Sequence, residues 1–322
     1  MEGSDVGFAF RFGLHFWELP VSGWRARVRR YETLGFSAVT FTDHLVVPQW
    51  EPLAALAAVA GVTERLRVGT LVLDNALRNP VLTAKAAATI DRLSGGRLEL
   101  GLGAGYVTAN FAAAGVSFPR ASVRLEQLEE SIELMRRLWR DEKTTFAGRY
   151  YQVTGSPRVA PEPVSPTLLV GGGGPRAMSL AGRIADIASM IPRQDTGEWS
   201  LPASLADSTI DRMAEKSQWV RAAAAAAGRD PASVELNTMV FKLAVGPDAA
   251  ARRDALAREI GMAVADLRDS TLFLTGSAPE VRERLLEYRA RVGLTYFSLF
   301  DPGPEQIEYL AEHVVAPLTS AR

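Results

Sequence analysis

Short apolar runs alternate along the whole chain with stretches in which apolar positions recur every three or four residues, the rhythm of a parallel sheet wrapped by helices. The first strand is read at 10–16 ("FRFGLHF"), and an amphipathic helix at 23–35 is stopped by Gly35. Strands follow at 37–44 ("SAVTFTDH") and 67–73 ("RVGTLVL"), with a helix at 51–62 between them. The next helix, 79–96, has legible ends: Asn79 suits an N-cap, Pro80 the first turn and Gly95 a left-handed C-cap. Leu82, Ala86, Ile90 and Leu93 line one face of it.

In "GGRLELGLGAG" the leucines at 98, 100 and 102 share one face of a fourth strand, and Glu99, Gly101 and Gly103 share the other. A long helix is expected at 120–141. The span 144–166 carries aromatics and then four prolines, which predicts a hairpin-like excursion and an extended return. "TLLVGGGG" and "PRAMSLAGRIA" form another strand and helix, "DIASMI" a strand, and 208–228 a long helix. The polar span 192–207, rich in turn formers, is expected to be a mobile loop or lid. A strand at 234–245, a helical region through about 268, a helix at 279–293, a strand at 294–300 and a helix at 304–314 complete the chain. About eight such units predict a (β/α)8 barrel, a single domain over 1–322 with insertions at 144–166 and 192–207. A doubly wound open sheet is the alternative. Its usual dinucleotide fingerprint is missing, because Gly101, Gly103 and Gly105 recur every two residues rather than as G-x-G-x-x-G.

Composition removes several classes of function. With 47% hydrophobic residues in 322 the chain can bury a large core. Its 36 basic and 37 acidic residues leave a net charge of −1, so no basic field attracts nucleic acid or anionic lipid. The absence of cysteine excludes disulfides, thiolate metal sites and cysteine nucleophiles, and fits a reducing cytoplasm. The first residues lack a basic segment followed by a long apolar run, and no uninterrupted apolar stretch reaches about 18 residues, so a cytoplasmic protein without membrane contact is expected.

In a barrel, chemistry sits at the C-terminal ends of the strands, and two of the three histidines end strands. Ala38, Thr40, Thr42 and His44 share the inward face of one strand, and Gly13 and His15 that of another, so both histidines are expected at the barrel mouth. The alternative for each is a hydrogen-bonded structural role. His313, on the last helix, belongs to the surface, and no ligand spacing supports a metal site. The run "VGGGGPRAM" leaves a strand and enters a helix at Pro175, a setting suited to phosphate, although a tight turn also fits. The bare face at Gly101 and Gly103 is expected to make room for a planar ring, with plain barrel packing as the alternative.

"GFSAVTFTDH", "RVGTLVLDNALRNPVLTAKAAATIDRLSGGRLELGLGAG" and "TLLVGGGGPRAM" resemble the luciferase-like monooxygenase superfamily, and within it the deazaflavin-dependent (coenzyme F420) oxidoreductases of actinobacteria. The resemblance covers nearly the whole chain. It implies a TIM barrel with an insertion, a flavin-like cofactor in the mouth and a homodimer. Position by position, it makes His44 the catalytic or substrate-facing histidine of "TDH", with Asp43 beside the cofactor. It puts a non-prolyl cis peptide at Leu71–Val72 behind the ring, and holds ring and phosphate with Gly103, Ala104 and Gly105 and with Gly172, Gly173, Gly174 and Arg176. The sugar-phosphate dehydrogenases of this branch carry a glutamate where this chain has Tyr106, which argues against that reaction. The implied chemistry is hydride transfer between deazaflavin C5 and an unsaturated or carbonyl-type carbon of a small molecule. His44 would move or direct the proton, and Tyr106 and His15 would orient substrate. Arg176 and Arg78 are placed to meet the acidic tail of F420. An FMN-dependent monooxygenase and a non-catalytic flavin-binding barrel are the alternatives.

Overall fold

The computed structural model describes residues 8–194 and 196–320. Eight parallel strands form its centre: β1 (Arg11–Phe16), β2 (Ala38–Phe41), β3 (Arg67–Thr70), β4 (Leu98–Gly103), β5 (Thr167–Gly172), β6 (Ile187–Met190), β7 (Glu235–Val240) and β8 (Leu294–Phe300). Each pairs with the next, and β8 pairs with β1 through Gly13 and Ser298, so the sheet closes into the predicted (β/α)8 barrel. Past β3, Leu73 and Asp74 rejoin the sheet beside Leu102 and Gly103 after a bulge at 71–72.

The inward and outward faces follow the period of two. Phe12, Leu14, Val39, Phe41, Leu98, Leu100 and Leu102 pack outward against the helical shell. Inside, Arg11, Arg67, Glu99 and Glu235 form a buried ion cluster near the N-terminal ends of the strands, capped by the Tyr296 hydroxyl, which donates to Glu99. Above it Ala38, Leu71, Leu169, Ile187, Met239 and Tyr296 fill the barrel. The floor of the mouth is therefore solid.

The helix at Pro80–Ser94 has the expected ends, with Asn79 Oδ1 accepting from the Val81 and Leu82 amides and Gly95 at φ 67°. Its packing face differs from the sequence reading. Thr83, Ala84, Ala87, Ala88, Ile90 and Asp91 are buried, whereas Leu82 and Leu93 are 68% and 63% exposed. Close approach to the barrel and to the helix Ala121–Arg140 selects the small-residue face, and the leucines are left outside.

Segment 144–166 holds the expected hairpin, Lys143–Ala147 against Gln152–Pro157, with a proline-rich return that includes a cis Ala160–Pro161 bond. The polar span 192–207 is not all loop, since Leu201–Ala206 is helical. A third insertion is absent from the sequence reading. The strand expected at 234–245 breaks at Phe241, and Lys242–Val245 pairs instead with Phe273–Gly276 in a small separate sheet packed on the helix Ala249–Ile260. This unit stands at the C-terminal end of β7 and roofs one side of the mouth.

Candidate active site

The C-terminal ends of the strands open into a cavity of about 1280 Å3, lined by His15, Asp43, His44, Leu71, Val72, residues 103–106, residues 172–174 and Arg176, whereas Gly101 and Arg78 do not line it. His15 is buried at the end of β1, its Nδ1 2.9 Å from Thr40 Oγ1 and its ring 5.5 Å from Phe300. Burial, with His44 nearby, pushes His15 down to about 3, so its imidazole is neutral at pH 7. His44 lies just past β2, and its Nδ1 is 2.9 Å from the Asn110 amide nitrogen. Burial lowers its pKa too, against a weaker opposing pull from Asp43. The Tyr106 ring stands edge-on to it at 6.4 Å, and burial pushes the phenol up. His313 is at the surface, beside Tyr309.

Asp43 is buried, and Arg78 grips it with two hydrogen bonds of 2.7 Å while also reaching Glu51 at 3.0 Å. Arg78 is thus committed to holding the end of β2, and the expectation that it meets a cofactor tail is corrected: the side chain is spent on a buried carboxylate. A third Asp43 bond, from the Asp74 amide at 3.0 Å, ties β2 to the bulge after β3. Asp74 itself faces the cavity. Burial, reinforced by Asp43 and opposed by the Ala76 amide, Arg124 and Arg78, pushes it up to about 7.

The Leu71–Val72 peptide is cis, as the resemblance implies. Its neighbourhood changes the account of the bare strand face. A Cβ on Gly101 would overlap the Thr70 carbonyl, and one on Gly103 would lie 2.6 Å from the Val72 side chain. These glycines admit the bulged chain of β3, because the bulge brings that backbone inward at their level. Gly105, at φ 74°, would collide with the Asp74 carboxylate if it carried a side chain. In the second run, Gly172 is needed by Ala177, and Gly173 by the backbone of Ile191 and Arg193, each with a contact of 2.5 Å from a Cβ. Gly174 is different: it N-caps Pro175–Ile184 without a side-chain bond, and nothing closer than 3.7 Å would meet its Cβ. Pro175 has no N–H, but Arg176 and Ala177 of that first turn line the cavity, and their amides receive no side-chain cap. Arg176 is exposed beside them, with no hydrogen bond or ion pair among the described residues.

The opposite wall is aromatic. Phe300, at the end of β8, contacts Trp17 (centroids 5.3 Å) and Phe241 (5.9 Å), and Phe241 contacts Trp199 of the 192–207 insertion (4.9 Å). That insertion is tied back to the helix Thr108–Ala114 by the Thr108 amide on the Gly197 carbonyl at 3.0 Å. The ion pairs on this side, Lys242 with Glu259 and Arg252 with Asp248, are internally satisfied. Asp74 and Asn110 went unread in the sequence. Asp74 ends a strand segment, a signal that could have found it, whereas Asn110 sits on a short helix with no periodic pattern.

Residues 18–295 match the model of the luciferase-like monooxygenase family. The chain belongs to this family. Among curated relatives, F420-dependent glucose-6-phosphate dehydrogenase of Amycolatopsis mediterranei is 35% identical over 165 residues, 49% of this chain and 49% of that protein. The enzyme of the same name from Kribbella flavida is 29% identical over 319 residues, 90% of this chain and 91% of the relative. The chain thus spans about half the length of the first curated relatives it matches. A solved F420-dependent secondary alcohol dehydrogenase, in complex with an F420-acetone adduct, superposes with a TM-score of 0.79 at 19% identity, over 97% of this chain and 99% of that one. At that identity the likeness speaks for the fold.

Proposed function

We propose that the protein is an F420-dependent oxidoreductase of the luciferase-like family, acting on a small organic molecule with an apolar body. The observation that carries the reading is the conjunction, in one cavity, of an uncapped helix N-terminus, the 71–72 bulge and a neutral histidine. These residues fit a deazaflavin: the amides after Gly174 and the free cation of Arg176 suit its phosphate and acidic tail, and Leu71, Val72, Gly103, Ala104 and Gly105 offer an apolar and backbone surface for the ring. Bound there, the cofactor supplies a hydride at C5. The protein's own contribution is position, water exclusion and the groups at His44, Tyr106 and Asp74.

On the substrate side, Trp17, Phe300, Phe241 and Trp199 give an apolar wall, and the neighbouring cations are already paired. Tyr106 stands where the sugar-phosphate enzymes resembled carry a glutamate. Both features favour an apolar acceptor with C=O, C=N or conjugated C=C over a sugar phosphate. The two outward leucines of the helix Pro80–Ser94 support a homodimer that covers them, since Leu82 and Leu93 lie three turns apart on one exposed side. Among the described residues no helix is long and apolar enough to cross a membrane, and the cysteine-free chain suits the cytoplasm. The reading is tested by mixing the protein loaded with reduced F420, and separately with reduced FMN, with cyclic enones or ketones in the presence and absence of air. Rapid reoxidation of the F420-loaded protein by the organic acceptor is expected; no turnover with F420 and oxygen-dependent product formation with FMN points to the monooxygenase instead.

A further inference from the structure

Asn110 is buried at the start of the mouth and holds three groups at once. Its Oδ1 accepts hydrogen bonds from the backbone amides of Leu45 (2.9 Å) and Val46 (3.3 Å), and its Nδ2 faces His44 Nδ1 at 2.9 Å. The two amides decide which end of the side chain is which, because a reversed amide would set an NH2 against two N–H donors. The group facing His44 is therefore a donor, and His44 Nδ1 has to accept. In a neutral imidazole the proton then resides on Nε2. Nε2 has no protein partner among the described residues, and the ring lines the cavity.

We propose that Asn110 is a positioning residue that fixes the tautomer of His44, so that the ring meets substrate as an Nε2–H donor and binds the oxygen of a carbonyl or conjugated carbonyl. This rests on the oxidoreductase reading above and adds to it the class of acceptor atom. An acid role for His44 would need an imidazolium, whose Nδ1–H would point at the Asn110 NH2. A base role would need a bare Nε2, and hence the same clash. What remains is a neutral hydrogen-bond donor of the kind that polarises a carbonyl. The other groups around the ring agree: Asp43 is the adjacent carboxylate and is itself held by Arg78, His15 is neutral, and Tyr106 presents a phenol edge. The electron account closes with reduced deazaflavin as the reductant. A hydride adds to the carbonyl carbon, or to the far carbon of the conjugated system, and the displaced π pair moves onto oxygen. That oxygen is held by the Nε2–H and takes its proton from water, giving an alcohol or, through the enol, a saturated ketone.

The test begins with 15N-histidine NMR of the wild-type protein, cofactor-free and cofactor-loaded; a His44→Gln sample identifies the His44 signals among only three histidines. Expected is a protonated, pyrrole-type Nε2 and a bare, pyridine-type Nδ1. A protonated Nδ1 overturns the proposal, and this spectrum decides it even where a variant folds poorly. Asn110→Asp replaces the donor by an acceptor, so the two nitrogen signals should exchange character and the ring should titrate at higher pH. With an enone substrate, kcat/KM of the wild type should stay within about twofold from pH 8 to 9, above the titration of the cavity-facing Asp74 at about 7, whereas in Asn110→Asp it should fall about tenfold per pH unit above the new His44 pKa. Identical tautomers and pH profiles in the two proteins overturn the proposal. The expected spectrum combined with reduction of a C=N acceptor but of no carbonyl acceptor upholds the tautomer and the oxidoreductase reading and refutes the acceptor class, whereas no reduction of any acceptor by the F420-loaded protein refutes the oxidoreductase reading as well.

Discussion

Replacing Arg78 by methionine probes the frame on which the candidate site hangs. Asp43 is 5% exposed and receives two bonds from Arg78 and one from the Asp74 amide. Removing one partner of a buried ion pair costs about 3–5 kcal/mol, because the remaining charge loses its compensation. Arg78 retains 21% side-chain exposure, so water can reach part of the vacated space, and the expected loss falls to roughly 2–3 kcal/mol. For 322 residues at about 2.1 cal/mol/K of unfolding entropy per residue, that lowers Tm by roughly 3–5 °C. A second effect separates this from generic damage. The Asp43 carboxylate anchors the Asp74 amide, so the 71–74 bulge should loosen and cofactor affinity should fall with stability. Asp43→Asn in the same background removes the stranded charge and should recover about 1.5 kcal/mol. The assay is urea unfolding of the wild type, both single variants and the double variant, with cofactor titration on each. A loss below about 0.5 kcal/mol for Arg78→Met, or no recovery in the double variant, would show that Asp43 does not depend on the pair.

Gly174→Asp should hold or slightly raise stability, since aspartate is a better N-cap than glycine and no atom lies close to the added carbon, yet weaken cofactor binding about tenfold through charge; unchanged affinity removes the phosphate from that helix end. His15 has a folded pKa lowered to about 3 against 6.5 unfolded, so its contribution is complete above pH 6.5 and is lost toward pH 3. Asp74 and Glu235, raised to about 7, slope the opposite way, so the comparison is with His15→Gln: the wild type should lose up to about 1.4 kcal/mol per pH unit relative to the variant, and parallel curves would contradict the assigned burial. Trp199→Ala should raise KM for an apolar acceptor about tenfold and leave cofactor affinity within about twofold, a split that an aromatic wall on the substrate side requires.

The barrel was legible because each strand and helix announces its own period, and because caps such as Asn79 and Gly95 mark their own ends. The burial of a helix face was harder to read. Leu82 and Leu93 fit the helical period, but packing against the barrel chose the alanines and threonine of the adjacent face. Glycines were visible while their reasons were not: Gly101 answers to the Thr70 carbonyl and Gly173 to the backbone of Ile191, partners fixed only by closure of the barrel. Arg78 looked like free charge for the same reason, since Asp43 lies 35 residues earlier in sequence. Asn110 sits on a short helix and Phe241 at a break between two strands, and the local patterns of both are weak.

The central claim is that the mouth holds a deazaflavin, and titration of the cofactor-free protein with F420 and with FMN, followed by their absorbance and fluorescence, tests it most directly. The two ligands share a tricyclic ring, a ribityl chain and a phosphate, so the bulge and the helix end cannot separate them strongly. The acidic tail can, through Arg176, whose charge is unpaired among the described residues. F420 is expected to bind at least tenfold more tightly, about 1.4 kcal/mol, with the gap narrowing as salt rises. Equal or reversed affinities at low salt would contradict the account and make the protein an FMN-binding member of its family.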